Sequence, residues 1–235
     1  MKLLKSIAVI TGVSKGIGYA TASALLQKGA IVYGLGRHNH IVHPNFIFVP
    51  CDVRNPNEVH QAFAQIKSTT AAIDILVNNA GLGYFGMLEE MPQTEITEMM
   101  ETNVNGTIYC CREVLPLMKA QEKGHIINIA STAALEGMPQ VAAYCASKWA
   151  VKGLSESLFR EVRDFNIKVT CIYPGSVKTD FFRNSPNIKP HDYMLMPEDI
   201  ATNIVHALEM PDNFHTVNLE IRPLRPKGPQ PQKTK

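Results

Sequence analysis

Little in this sequence points to a strongly charged partner or to a membrane. Basic and acidic side chains nearly cancel, 23 against 21, leaving a formal charge of +2. That balance gives no electrostatic footprint for nucleic acid or for an anionic lipid surface. No apolar run approaches the roughly 20 residues that a bilayer-spanning helix needs. Lys2 and Lys5 resemble the basic start of a secretory signal, but the apolar run is far too short and a glycine turn follows at once. Cysteine is scarce too: Cys51, Cys110, Cys111, Cys145 and Cys171 have neither metal-ligand spacing nor the pattern of a disulfide framework. A soluble protein of the reducing cytoplasm is the expectation. No internal repeat and no domain linker is visible.

What is present is an alternation of short apolar runs and helical patterns. At 235 residues the chain has the length of one α/β domain with a full core. A buried strand over 6–10 runs directly into Thr11-Gly12-Val13-Ser14-Lys15-Gly16-Ile17-Gly18, and a helix over 19–28 stops at Gly29. Gly12 and Gly16 let the backbone approach a pyrophosphate, which the helix N-terminus would face. Gly18 permits close packing of helix on strand. The next strand, 31–35, ends in Gly36-Arg37. An acidic residue usually holds a free ribose 2′-hydroxyl at this strand end. Here Arg37 and Lys15 stand nearby and no carboxylate does, which suits the 2′-phosphate of NADP. The link over 37–45 is too short for a crossover helix. Its His38, His40 and His43 lack a carboxylate or cysteine to complete a metal set, so a solvated loop and no metal are expected.

A strand over 46–49 leads to Cys51-Asp52-Val53, and a helix follows over 57–67 with Val59, Phe63 and Ile66 on one face. The strand over 73–77 ends in Asn78-Asn79-Ala80-Gly81, and one long helix is predicted over 94–123 with Asn103 and Gly106 inside it. The apolar run from Ile126 places Ser131 at a strand's C-terminal end, where open α/β sheets bind ligands. Ala143, Ala146, Ala150, Val151, Leu154 and Leu158 then recur at helical spacing, with Tyr144 and Lys148 one turn apart on that helix. A strand over 168–172 leads into Pro174-Gly175-Ser176-Val177-Lys178-Thr179. The loop over 180–196 is predicted to be a lid, a helix covers 197–208, and a last strand covers 216–221. The pattern predicts a single doubly wound Rossmann-type domain over 1–222, with a mostly parallel sheet and helices on both faces. Residues 223–235 form a Pro- and Lys-rich tail, expected to be partly disordered.

Taken together, these motifs resemble the short-chain dehydrogenase/reductase family over nearly the whole length. The family's glycine motif is matched by Thr11 through Gly18, its N-N-A-G by Asn78 through Gly81, and its P-G segment by Pro174 through Thr179. Its catalytic set falls on Asn103, Ser131, Tyr144 and Lys148, with Ser131 thirteen residues before Tyr144. The resemblance implies hydride transfer between NADP(H) and a carbonyl or alcohol, with Tyr144 as acid/base and Ser131 orienting the substrate oxygen. Lys148 would also bond the nicotinamide ribose, and Asn103 would hold a water that links the lysine to solvent. Gly12, Ser14, Lys15, Gly16, Ile17, Gly18 and Arg37 would hold the phosphates. Asp52 and Val53 would hold the adenine, Asn79, Ala80 and Gly81 the ribose, and Pro174, Gly175, Val177 and Thr179 the carboxamide. Free tyrosine has a pKa of roughly 10, which Lys148 and an oxidised nicotinamide would bring toward neutrality.

The sequence departs from the family pattern twice. The helix between the second and third strands is missing, which leaves the adenosine side more open. The last strand, Val217 through Pro223, lacks the aspartate and paired glycines of acyl-carrier-protein reductases. A pocket built from Leu82, Tyr84, Met138, Tyr173, Phe181 and Phe182 suits a small or medium carbonyl with an apolar substituent, or a 3-hydroxy acid with Arg183 as carboxylate partner. Arg183 and Lys189 are the lid's only cations. A 3-oxoacyl reductase of lipid metabolism and a non-enzymatic NADP sensor are the alternatives. The resemblance also implies a homodimer or homotetramer, paired through the helix carrying Ile108, Val114 and Leu117 and through the Tyr144 helix.

Overall fold

The computed structural model describes residues 1–184 and 190–226. Seven strands form one sheet in the order β3-β2-β1-β4-β5-β6-β7. They are β1 (Ile7–Thr11), β2 (Ile31–Gly36), β3 (Phe46–Pro50), β4 (Ile75–Asn78), β5 (Gly124–Ile129), β6 (Ile167–Pro174) and β7 (Asn218–Ile221). Every neighbouring pair is parallel. A parallel sheet is covered on both faces, which is why its strands read as continuous apolar runs rather than as alternation.

Successive side chains leave a strand on opposite faces, and the two cores divide accordingly. Val9, Leu76 and Ile126 pack with Phe63 of α2 (Pro56–Thr69), Val114 of α4 (Gly106–Ala120) and Leu158 of α5 (Ala142–Val162). Their strand neighbours Ile10, Val77 and Ile127 face Leu25 of α1 (Gly16–Gln27) and Ile204 of α6 (Pro197–Glu209). After β3 the chain crosses back to lay β4 on the other side of β1. The strand order therefore reverses between β1 and β4, and the ends of these two strands bound the crevice where such sheets take ligands.

The β2–β3 link contains no helix. In its place Ile41 is buried in the α1/α6 core, in a turn where its N–H donates to Asn39 Oδ1 at 2.8 Å. This side chain covers part of the sheet face that a crossover helix would take, with Phe46 and Phe48 of β3 left partly exposed beside it.

Three features differ from the sequence-based expectation. The helix predicted over 94–123 is broken into α3 (Gln93–Met100), a π-helical turn over Glu101–Asn105, and α4. The last strand is only four residues long. The lid begins with a 3-10 turn over Asp180–Asn184 and returns to the sheet where Val177 and Leu195 form an isolated parallel bridge. Its middle, including Lys189, lies outside the described residues, as does the tail from residue 227. Pro223 itself is buried against Gly175. Among the described residues no helix is long and apolar enough to cross a membrane.

Candidate active site

The site assembles at the C-terminal ends of β1, β4, β5 and β6. The turn after β1 is locked to the end of β4 by side-chain chemistry. Thr11 Oγ1 accepts from the N–H groups of Asn79 and Ala80, both at 3.0 Å. Asn79 Nδ2 donates back to the carbonyls of Thr11 and Gly12, at 3.0 and 3.1 Å. Gly12 has φ +72°, and a Cβ there would stand 2.9 Å from the Ala80 Cα. A Cβ on Gly18 would collide with the Gly12 carbonyl and with the Asn79 amide. The glycines are thus needed for the loop to close on β4, as well as for any approach by a ligand. Asn79, expected at the ribose, has its amide turned into this bracket, which leaves the Ala80 and Gly81 backbone on that side.

The start of α1 has a shape that a pyrophosphate fits. Its N-cap, Lys15, makes no side-chain cap, and no acidic residue stands in the first turn. By contrast Asn55 caps α2 at 3.0 Å, with Glu58 in that helix's first turn. Ser14 Oγ donates to the His38 carbonyl at 2.6 Å, fastening the glycine loop to the chain just past Gly36 and Arg37. Arg37 is exposed and close enough to Asp52 to help hold that carboxyl below its usual range, a shift caused chiefly by Arg54. Lys15 reaches the other way, to Asp180 Oδ2 at 2.8 Å, in a solvent-exposed pair across the mouth of the loop. Such a pair contributes about 0–1 kcal/mol, so it yields readily to a competing anion. Thr179 leans on the same loop, its Cγ2 3.3 Å from where a Gly16 Cβ would be, while Val177 is buried and Ile17 packs into the α1/α6 core. Val53 packs against Gly106 at the head of α4.

On the other side of the crevice stand the four polar residues. Ser131 follows β5, and its hydroxyl accepts the Ala133 N–H at 3.2 Å to cap a 3-10 turn over Thr132–Ala134. Tyr144 lies in the first turn of α5, with its phenol in hydrogen-bonding reach of Ser131. Lys148 is one turn further on, with Nζ 5.8 Å from the Tyr144 ring centroid and donating to the Ile129 carbonyl at 3.0 Å. Asn103 sits in the π turn, where an extra residue per turn rotates the side chain out of the regular helical face. Its Oδ1 accepts the Leu82 N–H at 2.9 Å, and its Nδ2 donates to the Leu82 carbonyl at 2.9 Å and to Ser147 Oγ at 3.0 Å. Ser147 Oγ donates in turn to the Tyr144 carbonyl at 2.7 Å. Asn103 and Lys148 meet around Gly81, whose Cβ would lie 3.2 Å from Asn103 Oδ1 and 3.5 Å from Lys148 Nζ.

The electrostatics differ from the simple expectation of a tyrosine activated by its lysine. Burial pushes the Tyr144 phenol well above its ordinary range, and the Ser131 hydrogen bond opposes this only in part. Lys148 is itself nine-tenths buried and is brought down to about 8 by the same desolvation. With the ammonium charge itself disfavoured, burial dominates both groups.

The pocket wall differs from the sequence-based expectation. Phe85 joins it, with its ring centroid 5.6 Å from Tyr144, 6.1 Å from Phe181 and 6.2 Å from Phe182. Phe181 is itself 5.6 Å from Tyr144. Leu82 and Tyr84 pack into the same cluster, and Met138 stands exposed on the loop after Ser131. Tyr173 does not join them. Strand parity sends its ring to the α5 face, under Ala130 and Val151, where its hydroxyl donates to Asn218 Oδ1 at 2.7 Å. Among the described residues no three His, Cys, Asp or Glu side chains stand together as a metal set.

The short chain dehydrogenase family profile matches residues 6–189. A 3-ketodihydrosphingosine reductase of Bacteroides thetaiotaomicron is 42% identical over 204 residues, 87% of this chain and 75% of the relative. An alcohol dehydrogenase from the archaeon Thermococcus sibiricus, solved with 5-hydroxy-NADP, superposes with a TM-score of 0.87 at 28% identity, covering 96% of this chain and 99% of that one. A serine dehydrogenase in its closed form with NADP+ gives a TM-score of 0.85 at 29% identity over 92% and 94%. With the glycine loop on β1, the Tyr144–Lys148 pair on α5 and a profile match across most of its length, the chain belongs to the short chain dehydrogenase family of oxidoreductases.

Proposed function

We propose that this protein is an NADPH-dependent reductase that converts a ketone or aldehyde carrying an apolar substituent into the alcohol, with Tyr144 as proton donor. The observation that carries the reading is the convergence of Ser131, Tyr144 and Lys148 beside the glycine loop, inside a cage of Phe85, Phe181 and Leu82. A non-enzymatic sensor would have no need of that buried trio. The uncapped start of α1 and the collisions that any Cβ at Gly12 or Gly18 would meet fit a dinucleotide pyrophosphate. Arg37, exposed at the end of β2 beside the glycine loop, supplies the cation a 2′-phosphate needs, and the structures solved with NADP-type ligands support that choice.

When bound, the reduced nicotinamide supplies the hydride and, once oxidised, a positive charge. The rest falls to the protein's side chains. The Ser131 hydroxyl and the Tyr144 phenol both donate to the substrate oxygen, so negative charge developing there is met by two donors in a dry site. Tyr144 then gives up its proton. Lys148, one turn away, stabilises the phenolate left behind and presents further N–H donors to the ribose. Asn103 acts through its neighbours: its amide fixes the Leu82 backbone and, through Ser147, the first turn of α5. Both amide protons of its side chain are used in that task, and its main-chain carbonyl accepts the Thr107 hydroxyl at 2.9 Å.

The Bacteroides relative, by its name a 3-ketodihydrosphingosine reductase, favours a second reading in which the substrate is a lipid. The exposed Met87, Leu88 and Met138 support it, because they sit on two loops joined by the Gly86 N–H to Gln140 carbonyl bond at 2.8 Å. The test follows NADPH absorbance with a homologous series of 2-alkanones and with 3-ketodihydrosphingosine. For the primary reading we expect kcat/KM to rise over the short ketones and then level off; a continued rise with chain length selects the lipid. Arg37→Ala should weaken NADPH binding by about tenfold, the lower end for a charge-assisted contact, and leave NADH unchanged. Equal affinities for NADH and NADPH in the unmodified protein would remove the 2′-phosphate assignment.

The protein is also proposed to pair through α4 and α5. Trp149 of α5 is 46% exposed, an unusual loss of contact for so large a ring. Sedimentation at micromolar concentration is expected to give a dimer or tetramer, and a single monomeric species would refute it.

A further inference from the structure

A chain of charged groups runs from the end of β3 to the wall of the aromatic cage. Arg54 grips Asp52 from the side: Nε donates to both carboxylate oxygens at 3.0 Å, and NH2 donates to Oδ2 at 2.6 Å. Its remaining nitrogen, NH1, donates to Glu98 Oε1 on α3 at 2.8 Å. The other oxygen of Glu98 accepts the Tyr84 hydroxyl at 2.6 Å. Tyr84 in turn is fixed to the residue beside Glu98, its N–H donating to Met99 Sδ at 3.3 Å. Met99 is fully buried in the cluster that holds Tyr144. Asp52 is fastened on its other side as well, where its N–H donates to Glu58 Oε2 at 2.8 Å.

We infer that Arg54 and Glu98 are positioning residues, which tie the carboxylate at the adenine end of the cofactor site to the Tyr84 loop that walls the substrate pocket. The inference rests on the nucleotide site proposed above. Each link uses a different atom of its partner, so one group cannot move without releasing the next. Arg54 supplies the geometry a relay needs, because a planar fork can hold two carboxylates in fixed directions and a lysine cannot. Both ion pairs are one-quarter to one-third exposed, a range in which such bonds form and break. An open surface depression lined by Arg54, Thr94, Thr97, Glu98 and Glu101 adjoins the chain and leaves the guanidinium room to swing. Two states follow: the chain complete with Tyr84 held, or Arg54 turned into the depression with Asp52 and Glu98 released. A ligand that takes the Asp52 carboxylate in the orientation Arg54 imposes favours the first and thereby orders the Tyr84 loop. Linkage requires the converse, that holding Tyr84 strengthens binding at Asp52.

Dissociation constants for NADPH and for reduced nicotinamide mononucleotide, which lacks the adenosine half, are measured for the unmodified protein, Tyr84→Phe, Arg54→Met and the double variant. Tyr84→Phe is expected to weaken NADPH binding three- to tenfold, leave the mononucleotide unchanged, and have no further effect once Arg54 is Met. Arg54→Lys, which keeps the charge and loses the fork, replaces the Met variant if that one does not fold. Unchanged NADPH affinity in Tyr84→Phe, equal weakening for both ligands, or additive effects in the double variant would each overturn the relay. If the unmodified protein does not bind NADPH at all, the reading of the nucleotide site falls and the relay with it.

Discussion

Tyr144→Phe is expected to lower kcat for carbonyl reduction by about 10²–10⁴, the usual contribution of a positioned general acid, while NADPH binding changes less than threefold. The asymmetry follows from what the side chain touches. The ring is held between Phe85 and Phe181, both with centroids 5.6 Å away, and phenylalanine keeps those contacts. Only the hydroxyl is lost, and the neighbouring Ser131 is kept in place by the bond it accepts from the Ala133 N–H. The raised pKa of the phenol gives the pH dependence its sign. A phenol held above its ordinary range by burial keeps its proton through neutral pH, so reduction should be nearly flat there. Alcohol oxidation needs the phenolate and should rise with pH. A variant retaining more than a tenth of the rate in single-turnover measurements would remove Tyr144 from the proton transfer.

The parts of this structure that the sequence makes legible are those governed by local rules. Strands buried on both faces announce themselves as apolar runs, and Thr11 through Gly18 lies where it must, from the end of β1 into the first turn of α1. Tyr144 and Lys148 share a helix face because the period of that helix is fixed. The parts that escape are set by partners far away in the chain. The π turn at Glu101–Asn105 leaves no mark in a pattern that continues helically on both sides, yet it aims Asn103 at Leu82 and Ser147. Phe85 lies between Gly83 and Gly86 and so reads as loop; only the fold brings it over Tyr144. The place of Tyr173 escapes the sequence because its side of β6 depends on strand parity, which a one-residue uncertainty in register inverts. Lys15 illustrates a softer limit. Its charge was legible, but its pairing with Asp180, 165 positions later, was not.

The second large effect concerns Lys148, where function and stability are expected to part company. Lys148→Met should abolish turnover, by at least about a hundredfold, and also make the cofactor-free protein more stable at neutral pH. Burial brings the lysine from an ordinary 10.5 down to about 8. A shift of that size corresponds to about 3 kcal/mol, at roughly 1.4 per unit, by which the folded state disfavours the ammonium. The unfolded chain holds this proton up to about 10.4, and the folded one releases it near 8. Between those values the unfolded state binds more protons, so stability rises with pH. The penalty is therefore fully present below about pH 8 and disappears toward pH 10. Methionine has similar bulk and no charge, but it leaves the Ile129 carbonyl without the bond it accepts at 3.0 Å, a loss of about 1 kcal/mol. A net gain of about 1–2 kcal/mol at pH 7 should remain, narrowing and then reversing as the pH approaches 10. Urea unfolding of both proteins at pH 7, 8.5 and 10 measures it. A variant less stable than the parent at pH 7, by a margin that does not depend on pH, would mean that the ammonium is well solvated where it stands and that its place beside Tyr144 costs the fold nothing.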